Sequence, residues 1–145
     1  GYPTPMEELG IVNRMGVDPP APEPALDVVE LLELQELTDT VYVDPAVVWY
    51  AVSLVFATRS PAEQGFEDLV PLIAFGASPP ATLAFSEASR AIAFLRGRGY
   101  VIPEDVKEIA KDVLRHRILL TYEAEAENVA SETVVERILE RVEVP

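Results

Sequence analysis

SPPATLAFSEASRAIAFLRGRGYVIPEDVKEIAKDVLRHR, residues 78–117, is the stretch from which the architecture is read. Ser78-Pro79-Pro80 marks a helix start, because a proline in the first turn has no partner to lose. Ala81, Phe85, Ala88, Ile92 and Leu95 recur at helical spacing and predict a core stripe on a helix from Pro79 to about Arg96. Gly97 and Gly99 end it. Tyr100-Val101 reads as a short extended piece. Ile102-Pro103-Glu104-Asp105 opens the next helix, with acids in the first turn where the helix dipole favours them. Val106, Ile109, Val113 and Leu114 face inward, and this helix ends near Arg117.

Further along, Ile118 to Leu120 reads as extended, and Ser131 caps a last helix through Val134, Val135, Ile138 and Leu139. On the other side, Val70 to Phe75 is an apolar run of strand character, stopped by Gly76. Ser60 to Asp68 is a polar loop. Asp44-Pro45 starts a helix running to about Thr58, in which only Tyr50 and Ser53 carry polar groups between Ala46 and Ala57. Such a helix is buried on most sides or against a partner. Val41-Tyr42-Val43 is a short β-branched link. Asp27 to Leu37 forms a helix with Asp27 and Glu30 as its capping pair. Thr4-Pro5-Met6-Glu7 forms a capping box for a short first helix that Gly16 stops. Val17 to Pro24 is a stiff, proline-rich tether. The sum is an all-α fold: a bundle of five or six helices with a few very short strands, and an N-terminal helix on a Pro-rich tether.

Composition narrows the function. The chain has 145 residues, a net charge of −14 and no cysteine. Disulfide scaffolds, cysteine zinc sites and thiol catalysis are excluded. Residues 1–40 hold nine acids against Arg14 alone, so −8 of the charge sits there. A duplex-binding face needs excess base, and this chain has the opposite. No run reaches the about 18 apolar residues of a spanning helix. The chain therefore reads as soluble and cytoplasmic. It opens Gly1-Tyr2-Pro3 rather than with Met, and so reads as a piece of a longer protein.

The usual catalytic signatures are missing. There is no phosphate loop of the Gly-x-x-x-x-Gly-Lys-Ser/Thr form and no Gly-x-Gly-x-x-Gly turn. His116 stands alone between two arginines and reads as a helix-end residue. Glu123, Glu125 and Glu127 lack the glycine and spaced aspartates of a cation loop, so they read as a solvated run. Residues 87–117 carry seven bases and five acids, the one net-positive stretch. Ion pairs at i,i+4 on exposed helix faces account for it as well as a phosphate-facing or subunit-facing patch does.

Four motifs carry a resemblance. Phe75-Gly-Ala-Ser-Pro79, Ala91 to Val106, Val113-Leu-Arg-His-Arg117 and Tyr122-Glu-Ala-Glu-Ala-Glu127 closely resemble the C-terminal region of MoxR-type AAA+ ATPases, and Ala57-Thr58-Arg59 fits as well. Gly1-Tyr2-Pro3 resembles the junction where the family's core domain ends. The resemblance implies two parts: residues 1–25 as that junction, with a short helix and tether, and residues 26–145 as a helical lid. It implies a parent ATPase that assembles into a ring, usually a hexamer. ATP and Mg²⁺ are then bound mainly by the core domain, and the fragment alone is inactive. The implied partners are the parent's own core, neighbouring subunits, and client proteins, often with von Willebrand factor A-domains.

The resemblance also implies site residues. Tyr2, Pro3, Gly76, Ala77, Ser78, Pro79 and Pro80 fall near the nucleotide, and no catalytic residue lies in the chain itself. The family usually reads Gly-Ala-Ser-Pro-Arg, the arginine being the second sensor that reaches the γ-phosphate. Here that position is Pro80, and Glu87 stands where a base is usual. Arg90 is the nearest retained base on that helix and the candidate compensating one. Two readings stay open: the lid of an ATPase motor, or a helical protein-interaction module whose ATPase role has weakened.

Overall fold

The computed structural model describes residues 1–16 and 21–145. The chain divides into two compact units, Gly1–Glu33 and Leu34–Pro145. Of the proline-rich tether, Pro19 and Pro20 lie outside the described residues. Pro22 and Pro24 stand in an exposed segment without regular structure.

In the first unit, α1 (Pro5–Met15) starts on the expected capping box. The Thr4 amide donates to the Glu7 carboxylate at 2.7 Å, and the Glu7 amide donates to the Thr4 hydroxyl at 3.4 Å. Gly16 closes the helix, its amide donating to the Val12 carbonyl. No residue of α1 is buried. α2 (Val28–Asp39) begins here and continues past the boundary. Asp27 and Glu30 cap it reciprocally at 2.8 Å.

The second unit contains the core. The link after α2 makes one parallel bridge, Tyr42 to Tyr100. α3 (Pro45–Arg59) is capped by Asp44, which accepts from the Ala46 amide at 2.9 Å. The loop after it holds two 3₁₀ turns, Ala62–Gln64 and Glu67–Leu69. β1 (Ile73–Phe75) leads through a short loop to α4 (Pro80–Leu95), and α5 (Pro103–Leu114) follows. β2 (Leu119–Leu120) pairs antiparallel with β1, and α6 (Tyr122–Ala126) and α7 (Ser131–Arg141) complete the chain. Among the described residues there are seven α-helices and one two-stranded sheet, so the fold is all-α. α3 packs on α4, α5 and α7, and α4 and α5 share the most extensive helix–helix contact. Leu54, Val55, Leu69, Phe85, Leu114, Val134, Val135 and Ile138 are fully enclosed between them.

Three details differ from expectation. The buried row of α4 is Ala81, Phe85, Ser89 and Ala93, while Ala88 and Ile92 are half-buried and Leu95 is 80% exposed. A strict i,i+4 ridge packs into the neighbouring helices here, and such a ridge drifts around the helix away from the predicted stripe. Ser131 is the first residue inside α7, and the cap position is Ala130. The run at Tyr122 folds into α6, capped by Thr121, with its glutamates exposed. The helix count thereby rises above the expected five or six.

Candidate functional site

The Gly76-to-Pro80 segment is fixed from one side and free on the other. Thr58, at the end of α3, is fully buried. Its hydroxyl donates to the Val55 carbonyl at 2.7 Å and accepts from the Ala77 amide at 2.9 Å. Gly76 lies so close to α3 that a Cβ there would sit 2.2 Å from the Thr58 carbonyl oxygen. Ala77 is fully buried, whereas Ser78, Pro79 and Pro80 are exposed. The first half of the motif is therefore an anchor, and the second half is what the anchor presents.

Pro80 opens α4 without strain, since the Ala81 and Thr82 amides donate to the Ser78 and Pro79 carbonyls. Prolines at 79 and 80 also remove two amides that a helix start would offer a phosphate. Among the described residues, no group of histidines or carboxylates is arranged to hold a metal ion. The residues present thus do not by themselves fit a nucleotide–metal cradle.

The structure brings Gly76, Ala77, Ser78, Pro79 and Pro80 together on one loop–helix junction. Tyr2 and Pro3 are exposed in the first unit. Glu87 is exposed on α4. Arg90, ten residues along from Pro80, is half-buried, and its Nε is enclosed without a hydrogen-bond partner. His116 is exposed just past α5, with the Arg117 guanidinium 2.7 Å from its Nε2.

Two residues escaped the sequence reading. Thr58 is one, although Ala57-Thr58-Arg59 was visible as a motif. Asp105 is the other. It sits in the first turn of α5 as expected, but its side chain is fully buried. Arg98 donates to it twice, at 2.5 and 2.9 Å, Arg96 once at 3.3 Å, and the Ile102 amide once at 3.0 Å. Burial pushes the Asp105 pKa up, but the Arg98 bonds, the Ile102 amide and the Arg96 charge outweigh it and hold the carboxyl below its usual range. Arg98 also donates to the Tyr100 carbonyl at 2.9 Å. The loop it stiffens receives Tyr42, whose amide donates to Gly99 and whose carbonyl accepts from Val101.

Most bases of the net-positive stretch are spent in pairs. Arg96 meets Glu108 at 2.6 Å, Lys111 meets Glu136 at 2.5 Å, and Arg115 meets Asp112. The first two join separate elements rather than i,i+4 neighbours. Arg141 likewise forks onto Asp68 at 2.5 and 2.7 Å and covers the Phe66 ring. This ties α7 to the second 3₁₀ turn and, through the Arg141 bonds, holds the Asp68 carboxyl below its usual range.

The core-facing side of α3 is buried through Val47, Tyr50, Ala51, Leu54 and Val55. Its other side shows Val48, Trp49 and Phe56 at 40%, 69% and 38% exposure, with Val52 half-buried. An apolar face of this kind favours association. The chain is expected to self-associate weakly and to brighten a hydrophobic dye. Sedimentation as a compact monomer that leaves the dye dark would contradict this.

Residues 68–138 match the AAA lid domain family. Over its full length the chain is 48% identical to Chaperone MoxR1 of Mycobacterium tuberculosis, covering 38% of that protein. It is 37% identical over 84 residues to Protein MoxR of Paracoccus denitrificans, which is 55% of this chain and 25% of that one. The crystal structure of a putative ATPase from Cytophaga hutchinsonii superposes over the whole chain and 44% of its own, with a TM-score of 0.90 at 35% identity. The chain spans about two fifths of the length of the relatives it matches from end to end. The chain belongs to the MoxR-type AAA+ ATPases and carries their lid domain, matched over residues 68–138.

Proposed function

We propose that this lid works in a ring-forming ATPase, where it couples ATP binding and hydrolysis to the chaperone-like assembly or activation of partner proteins. The observation that carries this reading is the anchored junction at Thr58, Gly76 and Ala77. A latch that fixes a loop from behind and leaves Ser78-Pro79-Pro80 bare suits a surface that meets another body. In this reading residues 1–25 are the junction to the core domain, and residues 26–145 form the lid. The core and neighbouring subunits of a homo-oligomer, a hexamer in the family's usual form, are the bodies the lid meets. ATP and Mg²⁺ are held mainly by the core, and the chain alone hydrolyses nothing. Client proteins of the von Willebrand factor A-domain type and a cytoplasmic setting complete the proposal. No described helix is long and apolar enough to cross a membrane.

A second reading has one specific observation in its favour. Pro80 stands where the family's second sensor supplies an arginine, and a proline cannot stabilise developing phosphoryl charge. The lid then belongs to a slowed ATPase that serves mainly to hold partners. The ATPase rate of the full-length parent beside its Pro80→Arg variant separates the two. A slow parent and a variant faster by about tenfold or more, in the range that phosphate-facing arginines supply, identify a ring tuned down at this position. A parent that is already fast and an unchanged variant place the sensor role on another residue, for which Arg90 is the candidate. A parent with no hydrolysis in either form overturns the motor reading.

A further inference from the structure

Between α3 and α4 the interior is incompletely filled. A partly enclosed cavity of about 150 Å³ opens there. Small side chains line it from both helices, Val47 and Ala51 on α3 and Ser86 and Ser89 on α4. Phe85 and Val106, both buried, complete its inner wall. Val48 and Leu83, at 40% and 65% exposure, mark its mouth. Among the described residues that line it, none is charged. Ser89 is fully buried, and its hydroxyl donates to the Ser86 carbonyl within α4 at 3.3 Å. A cavity water needs about two to four polar partners, and walls of this kind offer few. An unfilled apolar cavity also leaves its lining short of dispersion contacts. A guest that restores those contacts without bringing a charge is therefore favoured.

Size and shape narrow the guest further. Apolar cavities of about 150 Å³ inside proteins take up benzene. Phe85 in the wall adds the edge-to-face or offset contact that aromatic pairs prefer. A carboxylate or ammonium on the ring would lose its water and gain no partner. We propose that this cavity is a binding site for a single uncharged aromatic ring, held between α3, α4 and α5. Thr82 and Leu83 line it within three residues of Pro80, so a bound ring braces the head of α4 against α3. The inference does not depend on the ATPase reading, because no residue of the Gly76-to-Pro80 junction lines the cavity.

The probes are benzene and its anionic analogue benzoate. Ring currents should shift the methyl resonances of Val47 and Val106 saturably as benzene is added. Those of Val134 and Val135, which are buried but do not line the cavity, should stay in place. The melting temperature should rise with benzene, since the guest binds the folded chain alone. Benzoate should need at least about tenfold higher concentration for the same shifts. Ser86→Leu puts an isobutyl group against the cavity and should weaken benzene binding about tenfold. Val48→Glu changes an exposed position that the fold does not rest on, places a charge at the mouth, and should weaken binding about fivefold. Shifts that stay linear in benzene, or that spread equally to Val134 and Val135, overturn the proposal. So does an equal response to benzoate, or unchanged benzene binding in both variants.

Discussion

Asp105→Asn is expected to cost the second unit about 3–5 kcal/mol, the loss seen when one partner of a buried charge pair is removed. The reason lies in where the carboxylate is. Its side chain has no exposure, and it accepts from Arg98 twice, from Arg96 and from the Ile102 amide. An amide keeps one acceptor and turns its NH₂ group toward a guanidinium, so Arg98 loses its fork and keeps its charge. The expected fall in melting temperature is on the order of 15 °C for a unit of this size. Amide exchange should also quicken at Tyr42 and Val101, because the loop that pairs with Tyr42 is held through Arg98. Glu108→Gln is the contrast. Its pair with Arg96 is 46% exposed on each side and should contribute about 0–1 kcal/mol. An Asp105→Asn protein that melts with the parent chain would refute the clamp.

The same carboxylate sets an acid limit. Its folded pKa lies below the unfolded value of about 3.9. A depressed pKa contributes stability above the unfolded value and loses it as pH falls through the folded one. Asp68, lowered by its Arg141 bonds, acts with the same sign. Stability should therefore be level above about pH 5 and fall below about pH 4, and Asp105→Asn should flatten that fall.

These dependencies explain which parts of the fold can be read from the sequence. Helix starts are local chemistry, so Thr4-Pro5, Asp44-Pro45 and Ile102-Pro103 announced α1, α3 and α5 correctly. α5 was legible to its individual core positions, because lysines and acids fill its outer face and leave one side for Val106, Ile109, Val113 and Leu114. α4 was not. Its apolar stripe runs through Ala88, Ile92 and Leu95, and packing against the neighbouring helices instead buried the row through Ser89, a polar position that spacing alone does not select. Asp105 looked like an ordinary first-turn acid because its burial depends on two arginines that fold back from the α4–α5 turn. At the candidate site, the Gly-Ala-Ser-Pro motif was visible through resemblance. Its latch was not, since Thr58 meets an Ala77 that lies 19 positions further along the chain.

Gly76→Ala is the second large effect, expected at about 3 kcal/mol or more, at the upper end of overpacking costs. The new Cβ would lie 2.2 Å from the Thr58 carbonyl oxygen and 2.6 Å from the Arg59 nitrogen. Both are backbone atoms at the end of α3, so no side chain can rotate away, and either the loop or the helix end must move. If the loop moves, the Ala77 amide leaves the Thr58 hydroxyl, and a buried donor loses its partner. Exchange of the Ala77 amide reads that loss directly. Gly99→Ala is the matched control, because a Cβ there meets nothing within 4 Å and should change stability little. Thr58→Val tests the latch from the other side. It keeps the side chain's shape, removes the acceptor, and should expose the Ala77 amide to exchange at a cost of about 1–3 kcal/mol, while Thr58→Ser restores protection. In the full-length parent, a shifted loop also moves Ser78-Pro79-Pro80 at the head of α4. On the proposed lid reading, ATP turnover should then fall in Gly76→Ala and stay unchanged in Gly99→Ala. Equal stability of the two glycine variants would show that the close approach of loop and helix does not constrain this junction.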